Sequence, residues 1–191
     1  MCKVEVWIID HGSVNSEHHI TFRKATIDDH QMLESWLQKP HVLENVPDES
    51  WGWETELLRE PEWREMLIAE LHGKPMGFLQ IIDPALEETR YWGDVSKNLR
   101  AIDIWIGEEA LVGKGYGTQM MKKAFDRCFS APDVTAIIID PLASNERGIR
   151  FYQRLGFEFL RTEWFDGYEC AVHKLTRQRW ELLHNRKQTR H

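Results

Sequence analysis

A strand, a glycine-rich turn and a helix follow one another between residues 102 and 118, and this succession constrains the fold more than any other stretch of the chain. Ile102, Ile104 and Ile106 alternate with Asp103 and Trp105, which is the two-residue period of a strand. The turn Gly113-Lys114-Gly115-Tyr116-Gly117-Thr118 comes next, and then Met120, Met121, Ala124, Phe125 and Cys128 or Phe129 recur at the spacing of one helix face. Such a turn points backbone N–H groups and the positive end of a helix dipole at one place, which suits a phosphate or pyrophosphate. Glycine is needed there because it alone takes positive φ without strain and lets the backbone approach a ligand closely. The spacing excludes the two common nucleotide loops: there is no G-x-x-x-x-G-K-S/T run, and glycines at alternate positions do not fit G-x-G-x-x-G. An ordinary tight turn would use glycine in the same way, so the turn by itself leaves both readings open.

The segments around this unit predict one mixed α/β domain. Upstream, Ile20 to Arg23 reads as a strand, and Thr26 or Asp28 is placed to cap a helix carrying Met32, Leu33, Trp36 and Leu37 that Pro40 stops. An acidic, aromatic segment with Pro47, Asp48, Trp51, Gly52 and Trp53 follows. Met66 to Glu70 and Met76 to Ile82 form a hairpin around Gly73-Lys74-Pro75, and Ala101 to Ile106 is the third strand of that group. Downstream, Val134 to Ile139 is a continuous apolar run of the kind buried on both faces. After Asp140-Pro141, a helix from Asn145 to Leu155 closes at Gly156, and strands Phe157–Trp164 and Glu169–Leu175 flank Asp166-Gly167. The order β-α-β-β-β-α-β-α-β-β, without repeat or linker, predicts an N-terminal extension over 1–19, a domain over 20–176 and a basic, solvated tail over 177–191.

Length and composition narrow the function. A chain of 191 residues, 42% hydrophobic and 29% charged, buries a full core without staples. No run approaches the roughly 18 apolar residues of a membrane span, and Met1 to Ile9 lacks the length and cleavage pattern of a secretory signal. Cys2, Cys128 and Cys170 are odd in number and scattered, so neither a disulfide framework nor a metal site is expected, and the expected location is cytoplasmic. A net charge of −7 argues against nucleic acid as a partner. Residues 28–109 carry 7 basic and 19 acidic groups whereas residues 110–191 carry 14 and 9. Such polarity suits a cationic ligand held beside an anionic one, and solvated helix faces would produce it too.

Two stretches together resemble the GNAT superfamily of acetyl-CoA-dependent N-acetyltransferases. The first is the strand, G-x-G turn and helix already described, with Val112 where the superfamily usually has Gln or Arg. The second runs from Ile139-Asp140-Pro141 through Ser144-Asn145 to Tyr152 and Gly156-Phe157: a strand, an Asn opening a helix, a Tyr two turns on and Gly-Phe at the exit. Ile102-Asp103 at its distance from the turn, with Asp140-Pro141 and Ser144-Asn145, is similar to the aminoglycoside 6′-N-acetyltransferases. In that branch a tryptophan pair on the substrate side often follows the segment matching His41 to Glu44, where this chain has Asn45-Val46.

The resemblance implies a GNAT fold: a mixed sheet flanked by helices, with a splayed parallel strand pair holding acetyl-CoA. It implies cofactor contacts from Ile104, Trp105, Ile106, Val112, Gly113, Lys114, Gly115, Tyr116, Gly117, Thr118, Asn145 and Tyr152. It also assigns Asp103 as the base on the acceptor amine and Tyr152 as the donor to the departing thiolate. Asp103, Asp140, Trp51, Trp53, Trp92 and Trp105 are candidates for the acceptor wall, since carboxylates and aromatic faces suit cationic sugars. Trp36, Trp63 and Trp180, on helix-like patterns, are expected in the core. A carboxylate of pKa near 4 is about five or six units too acidic to deprotonate an alkylammonium directly, an uphill step of about 7–8 kcal/mol, so Asp103 needs burial or a neighbour such as Asp140 to raise it. Asp103 as a plain solvent-facing strand residue and Tyr152 as a core aromatic are the alternatives. The expected activity is acetyl transfer to the 6′-amine of an aminoglycoside by a monomer or homodimer. A metabolic amine, a siderophore hydroxylamine or a protein amine are other acceptors, and an acyl-CoA sensor without turnover is the reading from a different class.

Overall fold

Residues 19–46 and 51–188 are described by the structure, a computed structural model. The N-terminal extension except its last residue, Cys2 with it, residues 47–50 with Pro47 and Asp48, and residues 189–191 lie outside them. The elements are β1 (Ile20–Lys24), α1 (His30–Leu37), α2 (Pro40–Leu43), α3 (Trp53–Glu56), β2 (Arg64–Leu71), β3 (Lys74–Ile82), β4 (Leu99–Ile106), α4 (Tyr116–Phe129), β5 (Ala136–Ile139), α5 (Glu146–Arg154), β6 (Glu158–Phe165), β7 (Tyr168–Thr176) and α6 (Arg177–Gln188). The strands form one seven-stranded sheet in the order β1-β2-β3-β4-β5-β7-β6. Every neighbouring pair is antiparallel except β4 and β5, which run parallel, as the crossover through α4 requires.

Local chemistry sets several boundaries. Thr26, not Asp28, opens the first helical segment: its N–H donates to the Asp29 carboxylate at 2.9 Å, and Arg23 clamps that carboxylate with two bonds of 2.7 Å. The β2–β3 turn is made by His72 and Gly73, both at positive φ, the geometry that matches the twist of paired strands. Lys74 and Pro75 therefore already belong to β3, beside an irregularity at Ala69 and Glu70 that accommodates the proline.

One face of the sheet packs against α4, where Met120, Met121, Ala124, Phe125, Cys128 and Phe129 meet Leu67, Leu79, Ile102, Ile137 and Leu175 in a continuous apolar cluster. Burying each large side chain of this kind contributes about 1.5–3 kcal/mol. The other face carries two separate clusters. Leu33, Trp36, Trp53, Ile68, Phe78 and Trp105 pack under α1 to α3, whereas Ile82, Trp92, Ala101, Ile138, Phe165 and Val172 pack under the β3–β4 connection.

The basic end departs from the expected loose tail. Arg177 to Gln188 is a helix anchored by its first residues. The Arg177 guanidinium donates to the carbonyls of Val134, Phe129 and Ala131 at 2.8, 3.0 and 2.5 Å, which ties the end of α4 to the approach of β5. Trp180 stacks on Phe129 with centroids 4.8 Å apart. Trp36 is buried as expected, but Trp63 is not in a helix: it precedes β2, half-buried, with the Arg64 guanidinium 5.1 Å over its ring.

Candidate active site

The parallel ladder is short, and its end opens the site. Leu99, Arg100 and Ala101 of β4 pair with Ala136, Ile137 and Ile138 of β5, and from Ile102 onward β4 has no β5 partner. The Ile106 carbonyl accepts from His41 Nε2–H at 2.9 Å, so it turns away from β3. By strand alternation the peptide group of Ile104, rather than that of Trp105, faces the same gap. A cavity of about 1690 Å³ follows the gap from the glycine-rich turn to the acidic connection before β4.

At the turn end, Gly113 and Gly115 have φ of 79° and 85°. A side chain at either would be strained, and the space around Gly115 is open to 4 Å. Gly115 caps α4, so the first amides of a 14-residue helix face this space, and the Arg147 guanidinium lies beside Gly113. Across the gap, Asn145 Oδ1 accepts from the Gly148 N–H at 2.7 Å and caps α5, which leaves its Nδ2 for a ligand. The cradle fits an extended anionic cofactor: amides and a guanidinium at one end, unpaired strand edges along its length.

The reactive end holds two carboxylates. Asp103 lies in β4 opposite Gln80 of β3, whose Nε2 donates to Asp103 Oδ2 at 2.7 Å. Burial pushes the Asp103 carboxyl above its ordinary range, and the Gln80 hydrogen bond only partly opposes this. Gln80 is 5% exposed, and its Oε1 has no partner among the described residues. An unpaired buried acceptor costs about 1–3 kcal/mol, and this one belongs to a residue that lines the cavity. Asp140, at the exit of β5, accepts from the Tyr91 hydroxyl at 2.7 Å. Burial, and then the charges of Asp103 and Asp140, raise the Tyr152 phenol above its usual value, so it keeps its proton at any working pH.

The cavity wall takes in Asp103, Ile104, Trp105, Ile106, Val112, Gly113, Gly115, Gly117, Thr118, Asp140, Asn145, Tyr152, Trp51 and Trp92 of the residues singled out from the sequence. Three others are not on it. Trp53 is 2% exposed and stacks behind Trp51, with centroids 5.0 Å apart, so it supports the wall from the core. The Tyr116 ring points into the apolar cluster under α4 because its position on the helix faces the sheet. The Lys114 side chain is exposed, at the outer bend of the turn. Trp51 and Trp105 bring buried indole N–H groups that have no partner among the described residues.

Gln80 and Tyr91 were not anticipated. Gln80 had a readable signal, a polar residue among Met76, Phe78 and Ile82 at the two-residue strand period. Tyr91 had none, since it sits in an irregular connection and stacks on Phe165 at 4.7 Å. The acidic half does border the cavity, through Glu44, Glu56, Glu87 and Glu88, but Arg59 and Arg64 border it too. Arg59 pairs with Glu56 and Glu88, and Arg64 with Glu56, so part of the expected negative wall is neutralised.

Comparison with known proteins agrees with this geometry. The profile of the GNAT acetyltransferase domain matches residues 26–164. The aminoglycoside N(6′)-acetyltransferase type 1 of Klebsiella pneumoniae is 30% identical over 158 residues, covering 75% of this chain and 76% of that protein. A kanamycin resistance protein of Rhizobium radiobacter is 38% identical over 74 residues, covering 38% of this chain and 68% of that one. Among solved structures, the aminoglycoside acetyltransferase AAC(6′)-Ib in complex with coenzyme A and kanamycin superposes with a TM-score of 0.78 at 29% identity, covering 87% of this chain and 99% of that one. With the splayed strands, the glycine turn and the family profile in agreement, this chain belongs to the GNAT acetyltransferases.

Proposed function

We propose that the protein transfers the acetyl group of acetyl-CoA to a primary amine of a cationic small molecule, the 6′-amine of an aminoglycoside. The observation that carries this reading is the placement of Asp103, a half-buried carboxylate with a raised pKa, on a cavity wall where β4 leaves β5. The aminoglycoside acetyltransferase relatives support the acceptor class.

Bound acetyl-CoA supplies an activated acyl thioester whose departing thiolate needs one proton. Gly113, Gly115 and the first amides of α4 would hold its diphosphate, with Arg147 as a charged neighbour, and Asn145 Nδ2 and the open edge of β4 would line its arm. At the acceptor, Asp103 binds the ammonium and removes a proton from it. Its raised pKa shrinks the gap between carboxylate and alkylammonium, which would otherwise slow direct transfer. Asp140, held by Tyr91, supplies a second negative charge across the gap and helps keep a polycation oriented. Tyr152 keeps a proton at the wall on the same face of α5 that Asn145 opens. The Ile104 N–H, on the side β5 vacates, is the donor placed for developing negative charge on the acyl oxygen.

Release of thiol from acetyl-CoA tests the reading. Kanamycin-type acceptors with a 6′-amine should be turned over, and counterparts with a 6′-hydroxyl should not. Equal turnover of both would remove the 6′ assignment, and turnover only of polyamines or peptides would move the acceptor to another class. The arginines on the acceptor side and Asn45-Val46 favour a narrower range of aminoglycosides than a fully acidic wall would accept.

A further inference from the structure

Gln80 and Asp103 form a single polar rung across an otherwise apolar sheet face. On β3 the same face carries Phe78 before Gln80 and Ile82 after it, and on β4 it carries Ala101 before Asp103 and Trp105 after it. Phe78 and Trp105 belong to one apolar cluster and Ile82 and Ala101 to the other. An apolar residue in place of Gln80 would join the two clusters, so packing does not ask for an amide.

The orientation of that amide is fixed by its partner. An ionised carboxylate only accepts, hence Gln80 must turn Nε2 to Asp103 and leave Oε1 pointing elsewhere. Oε1 is buried, has no partner among the described residues, and belongs to a side chain on the cavity wall. The wall therefore carries two adjacent acceptor groups, the remaining capacity of Asp103 and the buried Gln80 Oε1 beside it.

Acceptors differ in the donors they bring. A primary ammonium has three N–H bonds, and a primary amine that has lost one proton keeps two. An N-methyl amine in the same state keeps one, and a hydroxyl has one. Building on the acceptor reading above, we propose that Gln80 Oε1 is the second acceptor for the reacting nitrogen and selects a primary amine over an N-methylated amine or a hydroxyl. One proton of the ammonium passes to Asp103, and the two that remain on nitrogen are held by the Asp103 carboxyl group and by Gln80 Oε1. The lone pair that the departing proton leaves points first at Asp103; a rotation about the C–N bond then puts both remaining N–H bonds on these two acceptors and turns the lone pair away from the β3–β4 wall. An analogue with a single N–H leaves one buried acceptor unpaired, and sites built in this way discriminate strongly.

The test compares Gln80→Met and Gln80→Glu with the unaltered protein, using a 6′-amino aminoglycoside and its 6′-N-methyl counterpart with acetyl-CoA. The unaltered protein should favour the primary amine at least tenfold in kcat/KM. Gln80→Met should lower kcat/KM for the primary amine at least tenfold and for the N-methyl amine less than threefold, so that the preference collapses. Gln80→Glu keeps an acceptor oxygen at the same place and should retain the preference, with the acid limb of its pH profile moved upward by the second carboxyl. Calorimetric affinity for acetyl-CoA should stay within twofold in both variants, which separates a local effect from misfolding. Equal losses on both acceptors in Gln80→Met would overturn the inference and reduce Gln80 to a support for Asp103. No turnover of either acceptor by the unaltered protein would overturn the acceptor reading and this inference with it.

Discussion

The two faces of the central sheet do different work with the same strands. On the α4 face, side chains from β2, β3, β4, β5 and β7 close around Met120, Met121, Ala124 and Phe125 in one apolar cluster. On the opposite face the apolar surface is cut in two, and the cut holds Gln80 and Asp103. Alternation along β4 puts Ile102, Ile104 and Ile106 on the first face and Ala101, Asp103 and Trp105 on the second, so one strand serves both. The difference teaches that stability is concentrated where nothing reacts, and that a half-buried carboxylate is tolerated where a cavity lets a ligand satisfy it.

The largest expected effect lies on the packed face. Phe125→Ala removes a ring that is 3% exposed and should destabilise by about 3–5 kcal/mol, read as a lower denaturation midpoint, with kcat/KM unchanged in whatever fraction stays folded. A large kinetic defect in that folded fraction would break the division between faces.

Asp103→Asn should have the reverse profile. Turnover should fall at least about 100-fold while acetyl-CoA affinity holds, because the group acts on the acceptor. The sign of its effect on stability follows from its raised pKa. A carboxyl raised in the folded state contributes stability below its unfolded value, near 4, and loses that contribution as pH rises through the folded value. Asp103→Asn should therefore gain melting temperature relative to the unaltered protein at neutral pH and lose that advantage in acid. Asp29 has the opposite sign. Burial works to raise it, but Arg23 and the Thr26 N–H bring it below the usual range, so its contribution is present at neutral pH and lost as pH falls through the folded value.

A smaller effect sharpens the cofactor end. Gly115→Asp would add charge and strain at φ 85°, and calorimetry should show acetyl-CoA binding at least tenfold weaker, about 1.4 kcal/mol. Tyr152→Phe should be the mildest, a few-fold loss in kcat, since a thiolate near pKa 8.5 tolerates departure without a dedicated donor. The acid limb of kcat/KM should sit above the range of an ordinary aspartate, as the raised pKa of Asp103 requires.

What the sequence disclosed was what local rules decide. The glycine turn, α4, the Asn145 cap and the doubly buried β5 each follow from a few neighbouring residues, and Asp103 stood out as a charge between isoleucines. The helix over 177–188 was hidden by its charges, because what holds it is tertiary: Arg177 on three carbonyls and Trp180 on Phe129. The same holds for Trp53, whose loop-like neighbourhood gave no hint that Trp51 would cover it. α2 and α3, of four residues each, are too short to leave a periodic trace.

The early end of the β4–β5 ladder also bears on assembly. Unpaired strand edges ordinarily invite other chains to add a strand, and proteins guard their outer strands for that reason. Here the backbone edge from Ile102 to Trp105 that β5 leaves unpaired lies inside the sheet, with β3 bonded on one side and β5 secured by β7 beyond the gap. A neighbouring protein cannot reach it, whereas a thin extended molecule can, and the bonds such a molecule makes are those the sheet lacks. Occupancy and folding are then coupled by mass action, and resistance to heat should climb with the logarithm of ligand concentration once the site is filled.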